Sequence, residues 1–322
     1  MKAIVQEAYG SPREVLAFRD IEQPSPAKDG VLLRVHAAAV NWADHAIVRG
    51  IPYVFRLGYG LRRPRSAVRG MDVAGTVEAV GDRVERLRPG DPVLGQGTGA
   101  FAELATAPER NLVPKPSRVS FEQAAAVPVA GLCALQALRD AGNLRAGQKV
   151  LINGASGGIG TFAVQIAKAF GAEVTGVCST PNLELVRSLG ADHVIDYTRE
   201  DFTESGERYD VILDIADNRT LSDRRRVLAP TGTLIPNSGE GGRWFGSLGR
   251  IAKARLVSPF VRQRLHPFVS MPKRADLVAL NELLASGTVT PVVGRTYPLI
   301  EVPEAIQYVG EGHARGKVVI AV

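Results

Sequence analysis

The chain is poor in cysteine and aromatics and has no long apolar run. Cys133 and Cys178 are its two cysteines. They lie far apart, whereas a local zinc site needs four cysteines, or two with two histidines, at close spacing. Both read as buried, reduced thiols. The five histidines show no ligand spacing either, so no metal is expected. No apolar stretch reaches the roughly 18 residues of a membrane span. Met1-Lys2-Ala3-Ile4-Val5-Gln6 meets Glu7 before an apolar core of signal-peptide length can form. That stretch reads as a first strand, and the expectation is a cytoplasmic protein with no membrane partner. Aromatics are 6% of residues, and no nucleic-acid signature accompanies the arginine clusters. The net charge of +6 therefore reads as a solvated basic face, not a nucleic-acid surface. With 45% hydrophobic and 22% charged residues over 322 positions, the chain has room for one large or two ordinary domains.

The most informative stretch is Asn153-Gly154-Ala155-Ser156-Gly157-Gly158-Ile159-Gly160. Val150-Leu151-Ile152 leads into it as a strand, and Thr161 to Lys168 leads out with helical spacing. Ala155, Gly157 and Gly160 fill a Gly-x-Gly-x-x-Gly pattern with alanine first. The first small residue permits a tight turn, the second lets a pyrophosphate approach, and the third lets helix and strand pack closely. Phosphates would sit on N–H groups at the positive end of the helix dipole. The short-chain dehydrogenases use a similar motif, but near the N-terminus and with a Tyr-x-x-x-Lys pair. No tyrosine here has lysine four places on.

Before the motif the chain reads as β-rich, with Ala3–Val5, Val31–Ala37, Gly75–Gly81 and a turn at Pro89-Gly90-Asp91-Pro92. Short strands punctuated by Gly and Pro predict a compact barrel. Between Val48 and Gly70 the pattern fails and a long irregular loop is expected. Helical spacing begins near Phe121. From Val150 strand and helix alternate, which implies a parallel sheet with helices on both faces. The strands are Val174–Cys178, His193–Tyr197, Tyr209–Asp214, Gly232–Pro236 and Leu265–Val269, the last demoted to an edge by Pro267. Arg243 to Val257 reads as a basic amphipathic helix. A helix over Asp276–Ser286 and strands at Val292–Tyr297 and Lys317–Val322 complete the chain.

Taken in order, these fragments resemble the medium-chain dehydrogenase/reductase superfamily in its zinc-free quinone oxidoreductase, zeta-crystallin-like branch. They are Asn41-Trp42-Ala43-Asp44 before Arg49-Gly50, then Gly70-Met71-Asp72-Val73-Ala74-Gly75 and Pro89-Gly90-Asp91-Pro92-Val93. Ala130-Gly131-Leu132-Cys133-Ala134, the glycine motif, Gly190 to Tyr197, and Gly316-Lys317-Val318-Val319 follow. The resemblance implies an α/β chain with a split GroES-like β barrel catalytic domain over 1–121 and 271–322. A doubly wound Rossmann domain over 122–270 would be inserted in it. It implies NADPH, a small-molecule substrate and a homodimer.

The superfamily's alcohol dehydrogenases place zinc ligands where this chain has Asn41 and Met71, which are poor ligands beside thiolate and imidazole. Without a Lewis acid, an electron-poor acceptor is expected, either a quinone or an α,β-unsaturated carbonyl. Its product anion can be stabilised by a hydrogen bond. NAD sites carry an acid after the second strand. Here Ser179-Thr180-Pro181-Asn182 follows Cys178, and both hydroxyls suit a 2′-phosphate. The resemblance adds Tyr197 and Lys317 near that phosphate and Cys133 near the nicotinamide. Asn41 is the candidate polar group at the substrate oxygen. Asp44 is a candidate beside it, with helix capping as its simpler role. Tyr53 is the candidate donor to the product anion, with Tyr59 and solvent as rivals. The non-enzymatic alternative is an NADPH-binding crystallin-like or sensor protein.

Overall fold

A computed structural model describes residues 1–237, 244, 246 and 261–322. The chain divides into two compact units, Met1–Leu132 with Pro272–Val322, and Cys133–Met271. The expected basic helix over 243–257 falls on residues of which 244 and 246 alone are described.

In the first unit, β1 (Lys2–Gln6) and β2 (Leu16–Asp20) form an antiparallel pair. β3 (Gly30–Val40), β4 (Asp72–Val80), β5 (Pro92–Gln96), β6 (Leu104–Pro108) and β7 (Leu112–Pro114) follow. β3 is the long central strand. It pairs antiparallel with β4 on one side, and with β6 along its first half on the other. Its closing half, Ala37 to Val40, is buried and alanine-rich, and pairs with the last strand of the chain. Small side chains there allow close packing on both faces. The core is made of residues such as Val35, Val73, Phe101, Val302 and Ile320, drawn from both ends of the sequence.

This first unit extends past the expected boundary at 121. Ser120 caps the helix Phe121–Ala125 by accepting from Gln123 N–H at 3.2 Å, while the Gln123 side chain accepts from Ser120 N–H at 3.1 Å. The Phe121 ring stacks on His36 of β3 at 4.3 Å. Val129 N–H donates to buried Asp72 of β4 at 3.0 Å. These contacts hold residues 121–132 to the barrel.

The second unit is a six-stranded parallel sheet built from β8 (Lys149–Asn153), β9 (Glu173–Cys178), β10 (His193–Asp196), β11 (Tyr209–Asp214), β12 (Leu228–Pro236) and β13 (Arg264–Leu265). Their order is β10-β9-β8-β11-β12-β13. That is the doubly wound order, with its switch point beside β8, where ligands bind outside the strands' carboxyl ends. β13 lies at the sheet edge and is shorter than the sequence suggests, covering Arg264–Leu265. In the first unit the chain then adds a helix, Arg274–Ser286, and β14 (Val293–Pro298). After a second helix, Val302–Gly310, β15 (Lys317–Ala321) pairs with both β14 and β3.

Between Val48 and Gly70 the expected irregular loop holds a 3-10 turn, Tyr53–Phe55, and one helical turn, Arg56–Tyr59. The Ile51–Pro52 peptide is cis. Among the described residues no helix is long and apolar enough to cross a membrane.

Candidate active site

β8 ends at Asn153 and the helix Gly158–Ala169 begins five residues later, with Gly157 at its N-cap. Gly154 and Ala155 both donate to Val177 O of β9, at 3.1 and 3.0 Å, which draws the turn down onto the sheet. Gly154 holds φ +93°, a conformation that favours glycine. At Gly160 the constraint is contact: a Cβ there would stand 2.1 Å from Gly154 O. Only glycine lets the helix approach the strand this closely. Ser156, Gly157, Gly158 and Ile159 thus form the lip of a helix whose first N–H groups have no partners within the helix. This cradle fits a dinucleotide pyrophosphate.

Polar side chains gather at the carboxyl ends of the same sheet. Asn153 Nδ2 donates to Asp214 Oδ1 at 2.7 Å and to Asn218 Oδ1 at 2.9 Å. Arg224, itself buried, pairs with Asp214 and Asp217. Asn237, just after β12, donates to Cys133 Sγ at 2.9 Å. Burial pushes the Cys133 thiol up to about 11, so it stays neutral and accepts the Asn237 bond.

After β9 the expected phosphate residues divide. Ser179 Oγ accepts from Asn182 at 3.1 Å, which leaves its own hydrogen to donate. Thr180 instead donates its hydroxyl to Asp196 at 2.5 Å. Asp196 also accepts from Thr198 N–H and Thr198 Oγ1; the Thr180 hydroxyl first, and then Thr198, holds its carboxyl below the usual range. Thr180 therefore supports the loop, and its hydroxyl is not a phosphate donor in this arrangement. Tyr197 stands exposed beside it, while Arg187 pairs with Glu184.

The other cluster belongs to the first unit. Asn41 caps the helix Trp42–Arg49, and its N–H donates to Asp44 Oδ2 at 2.8 Å. Its amide Nδ2 donates to Asp72 Oδ2 at 3.0 Å, and its Oδ1 accepts from Lys317 Nζ at 2.6 Å. Lys317 also reaches Val40 O at 3.3 Å and Asp72 Oδ2 at 3.4 Å. All four side chains are buried. Lys317 is thereby corrected: it was expected at the adenosine phosphate, and its ammonium is enclosed among three acceptors of the first unit. Asp44 stands at N3 of the helix Trp42–Arg49 and accepts the Asn41 N–H in the capping box. Burial pushes its carboxyl up to about 7, with the Asn41 N–H opposing. Burial also raises Asp72, against the pull of Lys317.

A zinc ion does not fit these donors. The Asn41 amide and the Met71 thioether are weak ligands. The Lys317 ammonium already brings a positive charge to Asn41 and Asp72. Among the described residues no three His, Cys, Asp or Glu side chains gather as a metal site.

Beside Asp44 lies a cavity of about 260 Å³, lined in part by Tyr59, Arg65, Ser66, Arg69 and Thr98. Tyr53, the first-choice tyrosine, is not among its lining residues; the Arg56 guanidinium lies over its ring at 4.8 Å. The rival Tyr59 lines the cavity. Sequence reasoning missed Asp72 and Arg69. Asp72 sits in the quoted Gly70-Met71-Asp72 segment, but nothing local signals that Lys317 would meet it.

The chain matches the family model for the alcohol dehydrogenase GroES-like domain over residues 27–117, and that for zinc-binding dehydrogenase over residues 189–320. It is 33% identical to the chloroplast envelope quinone oxidoreductase homolog of Arabidopsis thaliana, over 99% of this chain and 98% of the relative. It is 34% identical to the 2-methylene-furan-3-one reductase of Solanum lycopersicum, over 99% of this chain and 79% of that protein. The structure of mycobacterial Rv1454c complexed with NADPH aligns with a TM-score of 0.84 at 26% identity, covering the whole of both chains. With the split barrel, the doubly wound sheet and the glycine turn, these likenesses establish that the chain belongs to the quinone oxidoreductase branch of the medium-chain dehydrogenase/reductase superfamily.

Proposed function

We propose that the protein is a zinc-independent, NADPH-dependent reductase of quinones or α,β-unsaturated carbonyls. The observation that carries the reading is the buried Asn41 amide, fixed between the Lys317 ammonium and the Asp72 carboxylate. The relatives support it, since one is named a quinone oxidoreductase homolog, another a 2-methylene-furan-3-one reductase, and a similar solved chain is described with NADPH.

NADPH, when bound, supplies the hydride, and the protein orients and polarises. The glycine turn would hold the pyrophosphate on helix N–H groups. Ser179 and Tyr197 would border the ribose 2′-phosphate, and Cys133 with Asn237 the nicotinamide. The Asn41 amide carries two N–H bonds, of which Asp72 takes one. The other would donate to the acceptor's carbonyl oxygen as negative charge develops there. Lys317 strengthens that donor by polarising the amide through its oxygen. Tyr59 or solvent would protonate the product. A homodimer in the cytoplasm is part of this reading and is checked by light scattering and cell fractionation.

The test is steady oxidation of NADPH with phenanthrenequinone and with a simple enone, followed by loss of absorbance. Turnover with either supports the enzyme. Tight NADPH binding without turnover across a broad panel of quinones and enones would favour the non-catalytic alternative. Asn41→Ala should lower kcat by roughly 100-fold, the usual effect of deleting an oxyanion donor, with NADPH affinity retained.

A further inference from the structure

The cavity beside Asp44 contains an unusual group. Arg69 is 7% exposed, and its Nη2 finds no hydrogen-bond partner among the described residues. The guanidinium is held there deliberately. Its Nε donates to Gln6 Oε1 at 2.6 Å. Gln6 is itself buried, and its Nε2 donates to Ala8 O and Val48 O, both at 2.8 Å, so its oxygen must face Arg69. A buried cationic donor with an unmet N–H costs stability in the free protein. Nη2 is enclosed by the fold, so a ligand would meet the guanidinium from its cavity side and offset the burial of its charge.

The surroundings define that group. The cavity, about 260 Å³, is lined by the guanidinium side chains of Arg65 and Arg69 and by one carboxyl, Asp44. Asp44 already accepts the Asn41 N–H at 2.8 Å, and burial holds part of its population protonated near neutral pH. The Tyr59 ring and the side chains of Ile47, Val68 and Met71 supply an apolar wall. An anion-seeking donor set beside apolar surface suits a small organic acid better than a neutral molecule.

We infer that this cavity receives the carboxylate of an acidic acceptor, an enone or quinone bearing a carboxylate group, with Arg69 as the specificity-determining donor. The inference rests on the reductase reading and narrows its substrate class. Arg69 would hold the acceptor's carboxylate, apart from the carbonyl oxygen that Asn41 receives. Its contribution falls on acceptor binding, in KM more than in kcat.

The experiment compares β-acetylacrylate, an enone with a carboxylate, with its neutral methyl ester. Steady-state kcat/KM is measured for both in the wild type, Arg69→Met and Arg69→Lys. Intrinsic reactivity differs between acid and ester but cancels when their ratio is compared across variants. The acid-to-ester ratio should fall about ten- to hundred-fold in Arg69→Met, the worth of one charge-assisted hydrogen bond. Arg69→Lys should lie between, since it keeps the charge and loses the fork. General structural damage would lower both acceptors alike and leave the ratio in place. An unmoved ratio with turnover intact overturns the inference and leaves the reductase reading standing. If neither acceptor is reduced by the wild type, the reductase reading fails for them, and calorimetric titration with β-acetylacrylate decides the site. Binding that is lost in Arg69→Met supports the carboxylate site; equal or absent binding overturns it.

Discussion

Lys317 Nζ stands 2.6 Å from Asn41 Oδ1, although 276 residues separate them in sequence. The contact exists because β15 closes the barrel against the end of β3, with Val318 opposite Val40. It fixes which way the Asn41 amide points. Oxygen must face the ammonium, so the NH₂ group faces Asp72 and whatever approaches from beyond it. A residue from the last strand thereby sets the orientation of the proposed substrate donor.

Lys317→Met should reveal how much stability depends on that contact. Asp72 is fully buried, and removal of the ammonium strips it of charge compensation. Breaking one side of a buried ion pair costs about 3–5 kcal/mol, read by urea unfolding. Adding Asp72→Asn should restore part of the loss, because the second change removes the stranded charge. A double mutant as unstable as the sum of the singles would show that the two residues are not coupled.

Asp44 predicts a pH dependence with a definite sign. Its folded-state pKa, about 7, lies above the unfolded value, so the fold favours the protonated carboxyl. The stability this proton confers is fully present below the unfolded pKa, near about 4, and is lost as pH rises through the folded one. Where the native state holds one extra proton, the slope approaches about 1.4 kcal/mol per pH unit. Asp44→Asn retains an acceptor for the Asn41 N–H and has no proton to lose. Between about pH 5 and 7 the wild type should therefore lose stability relative to Asp44→Asn by roughly 1 kcal/mol per unit. Parallel curves in denaturant titrations at several pH values would remove Asp44 as the cause.

Much of this architecture is legible locally. Val150-Leu151-Ile152, the glycines and the helix after them specify strand, turn and helix with no outside help. The Gly160 requirement follows from a contact only six residues away, with Gly154 O. The site outside the turn is less legible because its contacts are remote. The resemblance places Lys317 near the cofactor phosphate, and only the β3–β15 pairing encloses it beside Asn41 and Asp72. Thr180 reads as a phosphate donor until β10 brings Asp196 alongside β9 and captures its hydroxyl. Arg69 sits among other arginines of the irregular loop, where composition suggests a solvated charge. Gln6, on the first strand, holds it inside instead. Hydrophobic period reports which face is buried, but not which buried polar groups find each other.

The two loop tyrosines can be separated by paired substitutions. Tyr59 lines the cavity with Arg69 and Asp44, whereas the Tyr53 ring carries Arg56. Tyr59→Phe removes one hydroxyl and little volume. If that hydroxyl protonates the product, kcat should drop by about tenfold or more and the alkaline limb of the pH–rate profile should move. Tyr53→Phe should leave kcat within about twofold, as expected of a change away from the chemistry. Equal small effects from both would assign the proton to solvent.

Cofactor choice turns on Ser179, the first residue after β9. NADPH and NADH differ at the ribose 2′ position, where a phosphate seeks donors and a free hydroxyl seeks an acceptor. Ser179 accepts from Asn182 and keeps a hydrogen to give, so it can serve a phosphate. Asp196, which borders this loop, already accepts bonds from Thr180 and Thr198. Ser179→Asp would replace the donor with a carboxylate facing a dianionic phosphate. Repulsion at about 4 Å is worth roughly 1–4 kcal/mol, depending on local screening. The ratio of kcat/KM for NADPH over NADH should therefore fall by about ten- to several-hundred-fold, with part of the change appearing as improved use of NADH. Equal losses with both cofactors would mean that Ser179 supports the loop and does not read the phosphate. A ratio that moves while the thermal midpoint stays fixed would locate the discrimination at this one hydroxyl.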